Sequence, residues 1–279
     1  MHLGARPDPA PWPSVMLVWG PGFKAAAHRH HSVQLVMALR GSFRVRGGPG
    51  KAWKKCSAVW VRPDAIHEVD ARGTPLLIAF ISVESAMGAA LSELISGEIA
   101  HVPTRQVSRW RAVLGHVPNE RRAELWLSEF LVEPRRDVVI HPGVRRVLRH
   151  LQDPAAPLDD DLSLKTLARI AGLSPSRFMH AFTQSVGVPV RPYILWLRLQ
   201  RAACDLKDGI SVTNAAHRAG FADSAHLSRT FRRMLGATPS DLALLHRLTL
   251  GFPFQSDEPV QRTLQPRRTS PASLSGAPH

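Results

Sequence analysis

The chain has 279 residues, which is enough for two ordinary domains, and 44% of them are hydrophobic. Its 36 lysines and arginines against 22 aspartates and glutamates give a formal net charge of +14, which serves either solubility or the binding of a polyanion. Two cysteines in unlike contexts, Cys56 and Cys204, argue against a disulfide framework. No apolar run is long enough to span a bilayer or direct secretion, so we expect a cytoplasmic protein.

The first 83 residues predict a disordered terminus followed by a small β domain. Residues 1–13 are rich in proline, whereas residues 14–83 contain short apolar or alternating runs separated by turn signals. The predicted strands are SVMLVWG, SVQLVMALRG, SFRVRGG, SAVWVRP and PLLIAFISV. Several short strands in so short a segment predict a sandwich or a barrel.

This β domain carries a pattern of histidines. The stretch GFKAAAHRHHSVQLVMALRG, residues 22–41, resembles the first sequence motif of the cupins. The stretch PDAIH, residues 63–67, loosely resembles the second motif, with Asp64 standing where a glycine is common. A cupin is a small β-barrel that often holds a metal ion with three histidines and a glutamate.

The cupin resemblance implies that His28, His30 and His67 stand at the positions of the histidine ligands, while Gln34 stands where glutamate is usual. A His-x-His pair on a strand places both rings on one face, as metal binding requires. Gln34 is neutral and a weak ligand, so a divalent metal ion bound here would lack charge compensation. The four residues are predicted either to line an effector pocket or to bind such an ion. We expect His31 to face outward.

Residues 84–136 predict a helical segment, with helices near residues 85–97 and 119–133. Its apolar side chains would pack either on the β domain or on a second subunit, which would make the segment a dimerisation element. These side chains are Leu91, Leu94, Ile95, Leu125, Leu127 and Leu131.

A repeated stretch lies within residues 137–250, which predict an all-helical domain. The sequence KTLARIAGLSPSRFMHAFTQSVG, residues 165–187, returns about 48 residues later as TNAAHRAGFADSAHLSRTFRRMLG, residues 213–236. In each copy a helix ends at a glycine, and Ser174 or Asp223 can cap the next helix. This is the helix-turn-helix arrangement, whose second helix can enter a DNA major groove.

A connecting helix is predicted between the two copies. With roughly 17 residues it would be on the order of 25 Å long. Such a helix would hold the two recognition helices about one DNA turn apart, roughly 34 Å, on one face of the duplex.

The repeat lies in a basic part of the chain. Residues 162–241 contain 11 basic and 4 acidic side chains, so this segment alone carries a charge of +7. The basic residues do not back a continuous apolar face, so double-stranded DNA is favoured over a membrane as the partner.

The repeated segment resembles the AraC/XylS family of transcription regulators over about 100 residues, from Pro142 to Leu242. One departure is Val190, where the family usually has the proline found at Pro239 in the second copy. The matching residues are Leu167-Ala168, Ala171-Gly172-Leu173-Ser174, Phe178, Phe182, Gly187, Tyr193, Arg198-Leu199, Ala202, Ala219-Gly220-Phe221, Asp223, Leu227-Ser228-Arg229, Phe231-Arg232, Gly236 and Pro239. The resemblance implies a sensor domain first, a DNA-reading domain last, RNA polymerase as a partner and activation as the usual outcome.

Helical geometry indicates which side chains face DNA, because Phe178 and Phe182 are expected to be buried. Arg229 is the favoured base reader, since a guanidinium can bond O6 and N7 of guanine together. The predicted base-contacting residues are Ser176, Met179, His180, Ser224, Ala225, Ser228 and Arg229. The predicted phosphate-contacting residues are Arg177, Arg232 and Arg233.

The sequence therefore predicts an α+β protein, with a cupin-like β-barrel followed by an all-α double helix-turn-helix domain and a disordered tail at residues 251–279. The predicted function is sequence-specific regulation of transcription under the control of a small-molecule effector, without enzymatic activity. The rival hypothesis is a metal-dependent cupin enzyme, an oxygenase or isomerase, with a helical appendage. A third hypothesis, a non-specific architectural DNA binder, predicts no preference among sequences. Whether two subunits bind together is left open.

Overall fold

The structure, a computed structural model, describes residues 15–130, 140–153, 162–243 and 245–250. The stretches predicted to be disordered, residues 1–13 and 251–279, lie outside them. The described chain forms a region of two antiparallel sheets followed by a region of helices, which confirms the predicted α+β class and the order of its two parts.

Ten strands of the described chain form the two sheets. They are β1 (Val15–Gly20), β2 (Lys24–His28), β3 (Val33–Ala38), β4 (Phe43–Arg46), β5 (Lys54–Cys56), β6 (Ala58–Val61), β7 (His67–Asp70), β8 (Leu76–Ile81), β9 (Ile99–His101) and β10 (His246–Leu250). The six-stranded sheet has the order β10-β1-β8-β3-β6-β9, and the four-stranded sheet has the order β2-β7-β4-β5. In the larger sheet, Val15 and Val33 lie on either side of Ile81.

The five apolar runs predicted from the sequence contain β1, β3, β4, β6 and β8. The sequence did not predict β2, β5 and β7, because KAAAH, KKC and HEVD lack an alternating apolar pattern. These strands depend on their neighbours, since β7 lies between β2 and β4 in the smaller sheet. The cupin-like character of this region stays a prediction.

Two further strands come from segments for which only helices were predicted. β9 lies within residues 84–136 and pairs with β6, and β10 lies within residues 137–250 and pairs with β1. Hydrophobic periodicity reports local structure, so it cannot show a pairing between such distant segments. The sheets therefore contain strands from all three predicted segments.

Three helices cover one face of the larger sheet: α1 (Ala86–Leu94), α2 (Thr104–Leu114) and α3 (Glu120–Phe130). Along β1, Val15, Leu17 and Trp19 face these helices, while Met16 and Val18 face the opposite side.

Some of the residues predicted for packing or dimerisation in this segment are buried and others are exposed, and dimerisation stays a prediction. Leu91, Ile95 and Leu127 pack with the sheet. Leu94 and Leu125 are exposed, and Leu131 lies outside the described residues.

The remaining helices are α4 (Pro142–Gln152), α5 (Leu164–Ala171), α6 (Pro175–Val186), α7 (Val190–Lys207), α8 (Val212–Arg218), α9 (Ser224–Leu235) and α10 (Pro239–Ala243). The connecting helix α7 has 18 residues, close to the predicted length. Helices α4, α5 and α6 share one core with the first half of α7, whereas the second half of α7 joins α8, α9 and the inner faces of the sheets in another. No described helix is both long and apolar enough to cross a bilayer.

Candidate DNA-binding helices and histidine site

Helices α5 and α6 form the first helix-turn-helix unit. α5 ends at Gly172, whose φ of 64° is a left-handed conformation that glycine adopts without strain. The Ser174 hydroxyl caps α6 by accepting a hydrogen bond from the Arg177 N–H at 3.4 Å. Phe178 and Phe182 are fully buried with their ring centroids 5.7 Å apart, so the opposite face of α6 is left open.

Helices α8 and α9 repeat this construction. The Asp223 carboxylate caps α9 by accepting a hydrogen bond from the His226 N–H at 2.6 Å. Leu227 and Phe231 are fully buried, and α9 ends at Gly236 with a φ of 64°. The caps, apolar anchors and terminal glycine predicted for the second copy are therefore all confirmed.

The predicted DNA-contacting side chains lie on the open faces of α6 and α9. On α6, Ser176, Arg177, Met179 and His180 are exposed. On α9, Ala225, Arg229, Arg232 and Arg233 are exposed, whereas Ser224 and Ser228 are half-buried. The Ser228 hydroxyl donates to the Ser224 carbonyl at 2.8 Å, which leaves its oxygen lone pairs as acceptors. Contact of these residues with DNA stays a prediction.

The structure brings the three predicted histidines together in the interior. His28 at the end of β2 lies opposite His67 at the start of β7, with ring centroids 4.0 Å apart. The ring of His30 lies 5.7 Å from that of His28 and 5.3 Å from that of His67. One potential ligand atom from each residue lies within 4.8 Å of the other two. The prediction that His28 and His30 lie on one strand is wrong, because β2 ends at His28 and His30 follows in an irregular segment.

Hydrogen bonds determine the tautomers of these histidine rings. His28 and His67 each donate from Nδ1 to the carbonyl oxygen two residues before them, at 2.7 and 2.9 Å, so each keeps a lone pair on Nε2. The Nδ1 of His30 lies 2.8 Å from the Ser32 hydroxyl. Burial and then the neighbouring His67 lower the pKa of His28 to about 3, and burial lowers the pKa of His67 to about 4. Both rings are therefore neutral at neutral pH.

Three polar atoms in this site are buried without a hydrogen-bond partner in the described part of the chain. They are the Nε2 atoms of His30 and His67 and the Oε1 atom of Gln34. An unpaired buried polar atom costs about 1–3 kcal/mol, so a water molecule, an ion or another ligand bound here would remove that cost. Neutral imidazoles whose Nδ1 atoms are held by hydrogen bonds fit a first-row transition metal.

A small cavity borders this site. It has a volume of about 20 Å³, which is room for about one water molecule. His28 and Gln34 contribute to its lining, and most of the remaining wall is apolar and includes Leu235 and Leu245.

Residues 167–243 match a family model described as a helix-turn-helix domain. Over 107 residues, the chain is 29% identical to the arabinose operon regulatory protein of Escherichia coli (strain K12). This match covers 37% of this chain and 36% of that protein. Residues 167–243 form a helix-turn-helix domain that is similar to part of this arabinose regulator, and this domain is called the AraC-type domain below. The chain spans only about a third of the length of the first curated relatives that it matches.

The AraC-type domain and the sheets together share an overall fold with solved structures of ToxT from Vibrio cholerae. An apo ToxT structure aligns with a TM-score of 0.54 and 11% identity, covering 84% of this chain and 98% of that one. ToxT bound to (E)-4-(8-methylnaphthalen-1-yl)but-3-enoic acid aligns with a TM-score of 0.50 and 9% identity, over 83% and 98% of the two chains. At these identities the likeness shows the fold alone.

The AraC-type domain packs directly against β2 and the residues that follow it, which carry His28 and His30. Trp196 of α7 stacks on His30, with centroids 5.6 Å apart and planes inclined by 24°. The Ala26 N–H donates to the Gly236 carbonyl at 2.8 Å. Gly236 approaches β2 so closely that a Cβ atom there would collide with Ala26 and His28. Helix α9 therefore ends against the strand that carries His28.

His31 also contacts the AraC-type domain, so its predicted outward orientation is wrong. It donates from Nε2 to the carbonyl of Val186, the last residue of α6, at 3.0 Å, and from Nδ1 to Asp64 at 2.8 Å. Burial alone lowers the pKa of His31, but the bonds to Asp64 and Val186 raise it overall. Asp64 adopts a φ of 62°, a left-handed conformation that glycine adopts without strain.

A buried polar network joins the segment after β8 to α4 and α7, which pack with the first helix-turn-helix unit. The Tyr193 hydroxyl of α7 donates to Glu84 at 2.7 Å, and the Gln152 side-chain amide of α4 donates to Tyr193 at 2.7 Å and to Glu84 at 3.3 Å. Sequence reasoning missed Glu84, Gln152 and Trp196, because no local pattern marks residues whose partners lie so far away in the chain.

Proposed function

We propose that this protein regulates transcription by binding specific DNA sequences, with α6 and α9 in two successive segments of the major groove. The observation that carries the proposal is the pair of capped, apolar-anchored helices with polar and basic outer faces inside an AraC-type domain. The connecting helix α7 has 18 residues, about 27 Å at a rise of about 1.5 Å each, which suits half-sites roughly 34 Å apart.

The proposal gives the exposed side chains two different roles. Arg229 reads guanine, while Met179 contributes apolar contact and shape selection on α6. The further base-contacting residues are Ser176, His180, Ser224, Ala225 and Ser228. Arg177, Arg232 and Arg233 bind phosphates, which gives affinity and salt dependence but little sequence preference.

We further propose that the sheet region, centred on residues 14–83, is the sensor for a small effector bound at His28, His30, Gln34 and His67. The ToxT structure with its bound butenoic acid derivative supports the idea that this fold accommodates a small organic molecule. The cavity in this chain holds about one water molecule, so a larger ligand must displace lining side chains such as Leu235. Leu235 ends α9, so effector binding and the position of the second recognition helix are linked.

The proposal also includes activation in the cytoplasm, contact with RNA polymerase and a homodimer formed through residues 84–136. Within that segment, Leu94 and Leu125 are exposed and available for a second subunit, whereas Leu127 is buried against the chain's own sheet. A Leu125→Glu variant that remains dimeric in solution would argue against this face as the interface.

The second candidate function is a metal-dependent enzyme, and the three-histidine cluster is the observation that favours it. The cluster contains no carboxylate in the described part of the chain, so it lacks the usual two-histidine, one-carboxylate triad of iron oxygenases. Because its helix-turn-helix domain favours a regulator, we propose that the protein is not an enzyme. Specific DNA binding by metal-free protein would exclude the enzyme as the main function.

The test is a selection of fragmented genomic DNA by the purified full-length chain at near-physiological salt, followed by sequencing. The proposal predicts a reproducible motif of two short blocks about one helical turn apart. Enrichment without a motif would identify a non-specific DNA binder. If no DNA were enriched with or without added metal or candidate effectors, the enzyme would become the better explanation.

A further inference from the structure

The net positive charge of the chain is concentrated in two separate segments. Residues 162–241, which contain both helix-turn-helix units, carry a charge of +7. Residues 24–72, which contain strands β2 to β7, have 10 basic and 3 acidic side chains and therefore also carry +7. These two segments account for the whole formal charge of +14. The sheet region thus has as much excess positive charge as the helix-turn-helix segment.

We propose that the outer face of the four-stranded sheet, formed by Lys24, Arg44, Lys55, Asp70 and the adjoining Arg72, binds phosphates of the DNA next to the segment that α9 occupies. The inference rests on the proposed function for the position of the DNA. It adds a second DNA-binding surface, which lies outside the AraC-type domain and contacts no bases.

A row of charged side chains crosses all four strands of this sheet. Asp70 of β7 pairs with Lys24 of β2 on one side and with Arg44 of β4 on the other, and Arg44 pairs with Lys55 of β5. Directly paired residues project from the same face of a sheet, and strands lie about 4.8 Å apart, so the row is about 14 Å long. That length corresponds to about four base pairs at about 3.4 Å each. The opposite face is buried in the core and carries Ala25, Phe43, Val45, Cys56 and Val69.

The single carboxylate of this row positions two arginines and leaves the surface positive. Asp70 accepts a hydrogen bond from Arg44 at 2.7 Å and two from Arg72, both at 2.9 Å. The side chains of Arg44 and Arg72 are 56% and 66% exposed, whereas that of Asp70 is 7% exposed. A guanidinium has five N–H donors, so most of the donors of both arginines are not used by Asp70. The cations, and not the carboxylate, therefore face the solvent.

An open depression of about 460 Å³ lies on this face. Its charged walls are Arg44, Lys55, Asp70 and Arg72, which together carry a charge of +2. Each phosphate of a DNA strand carries one negative charge, so the depression suits about two phosphates. The planar fork of an arginine can also bind two oxygens of one phosphate at the same time.

The outer face of this sheet adjoins the end of α9. The Ala26 N–H of β2 donates to the Gly236 carbonyl, and the last turn of α9 carries the exposed Arg232 and Arg233. The buried side of α9 and the inner face of the smaller sheet belong to one core, so both outer faces point away from that core. An acidic protein would match the same charges, but the proposed function already places DNA beside this edge of the sheet. DNA is therefore the favoured partner.

The test uses two DNA fragments that contain the motif recovered in the genomic selection. The shorter fragment ends at the half-site that depends on Arg229, and the longer one extends about 10 base pairs, one helical turn, beyond it. Binding of the full-length chain is titrated at several salt concentrations. Because log affinity falls with log salt by about 0.9 for each phosphate bound, the salt slope of the longer fragment should be steeper by about two.

Lys55→Gln and Lys54→Gln form a matched pair on strand β5. Both lysines are exposed, but Lys54 pairs with the core-facing Val45 and so projects from the opposite face of the strand. On the longer fragment, Lys55→Gln should lower the salt slope by about one and weaken binding by about eightfold at about 0.1 M salt. On the shorter fragment it should have no effect, and Lys54→Gln should change neither. Arg72→Gln, which keeps the ion pair between Arg44 and Asp70, should behave like Lys55→Gln.

The possible results separate this proposal from the proposed function. Equal losses in Lys54→Gln and Lys55→Gln would indicate only a general effect of net charge and would overturn the proposal. Unchanged salt slopes in Lys55→Gln and Arg72→Gln would also overturn it, while binding of the motif would leave the proposed function intact. Binding of polyglutamate that is lost in Lys55→Gln, with DNA binding unchanged, would assign the face to an acidic protein instead.

If the selection recovers no motif, the same titrations are made on a fragment of random sequence. A slope lowered by Lys55→Gln but not by Lys54→Gln would then support the phosphate-binding face and overturn sequence-specific regulation. The absence of any DNA binding would overturn both.

Discussion

Replacing Tyr193 with phenylalanine tests whether α4 and α7 are joined to the segment after β8 as described. The substitution removes one hydroxyl and keeps the ring, so it leaves little cavity. That hydroxyl donates to Glu84 and accepts from Gln152, both at 2.7 Å in a buried setting. Because a hydrogen bond to a charged group contributes about 1.5–3 kcal/mol, we expect the free energy of unfolding to fall by about 2 kcal/mol.

The assay is urea unfolding followed by tryptophan fluorescence, with Glu84→Gln and the double variant completing a cycle. Glu84→Gln keeps an acceptor oxygen but removes the charge, so Tyr193→Phe should cost less in that background. A loss below about 0.5 kcal/mol, with no coupling between the two sites, would refute the network.

A spectroscopic titration gives an independent measurement, because the chain contains one tyrosine. Burial and then the charge of Glu84 raise the pKa of Tyr193, so in the native protein it should ionise above its ordinary pKa of about 10. Since the pKa of the folded state exceeds that of the unfolded state, the associated stability is present below about pH 10 and is lost as the pH rises further. Tyr193→Phe should lack this alkaline loss. Ionisation at the ordinary pKa in native protein would contradict burial beside Glu84.

Other substitutions test the proposed DNA-contacting helices. Arg229→Ala should weaken binding to the selected motif by about 1–3 kcal/mol and relax one base position, whereas Arg232→Ala should weaken all sequences alike and lower the salt slope by about one, as measured by binding titrations at several salt concentrations. Asp223→Ala should cost about 1 kcal/mol of stability in a denaturant titration, and Asp223→Asn, which keeps a capping oxygen, should cost less. Phe182→Ala should cost about 3–5 kcal/mol, while the exposed Met179→Ala should leave stability within about 0.5 kcal/mol and alter only DNA binding.

The helix-turn-helix units could be predicted from the sequence because their signals are local. All the signals for α6 lie inside the helix or next to its ends. They are the cap Ser174, the apolar pair Phe178 and Phe182, and the terminal glycine Gly187. Because these interactions join residues close together in the sequence, they can be recognised without knowledge of the tertiary structure. The buried and exposed faces of α6 and α9 could therefore be predicted from the positions of their apolar residues.

The histidine site was only partly predictable. The cupin-like spacing identified His28, His30 and His67, but not that the second half of the AraC-type domain covers them. Trp196 and Gly236 carry no local mark of that contact, since each meets residues more than 160 positions away. His31 was misplaced for the same reason, because its acceptor at Val186 belongs to another domain.

The most direct test of the central claim is a footprint of the purified protein on its selected DNA, read as protection of guanine N7 from methylation in the major groove. Two protected clusters about one helical turn apart are expected, with Arg229→Ala removing protection at one cluster and leaving the other. A single protected cluster, or the loss of both clusters in a folded Arg229→Ala variant, would contradict two recognition helices that read adjacent turns of the duplex.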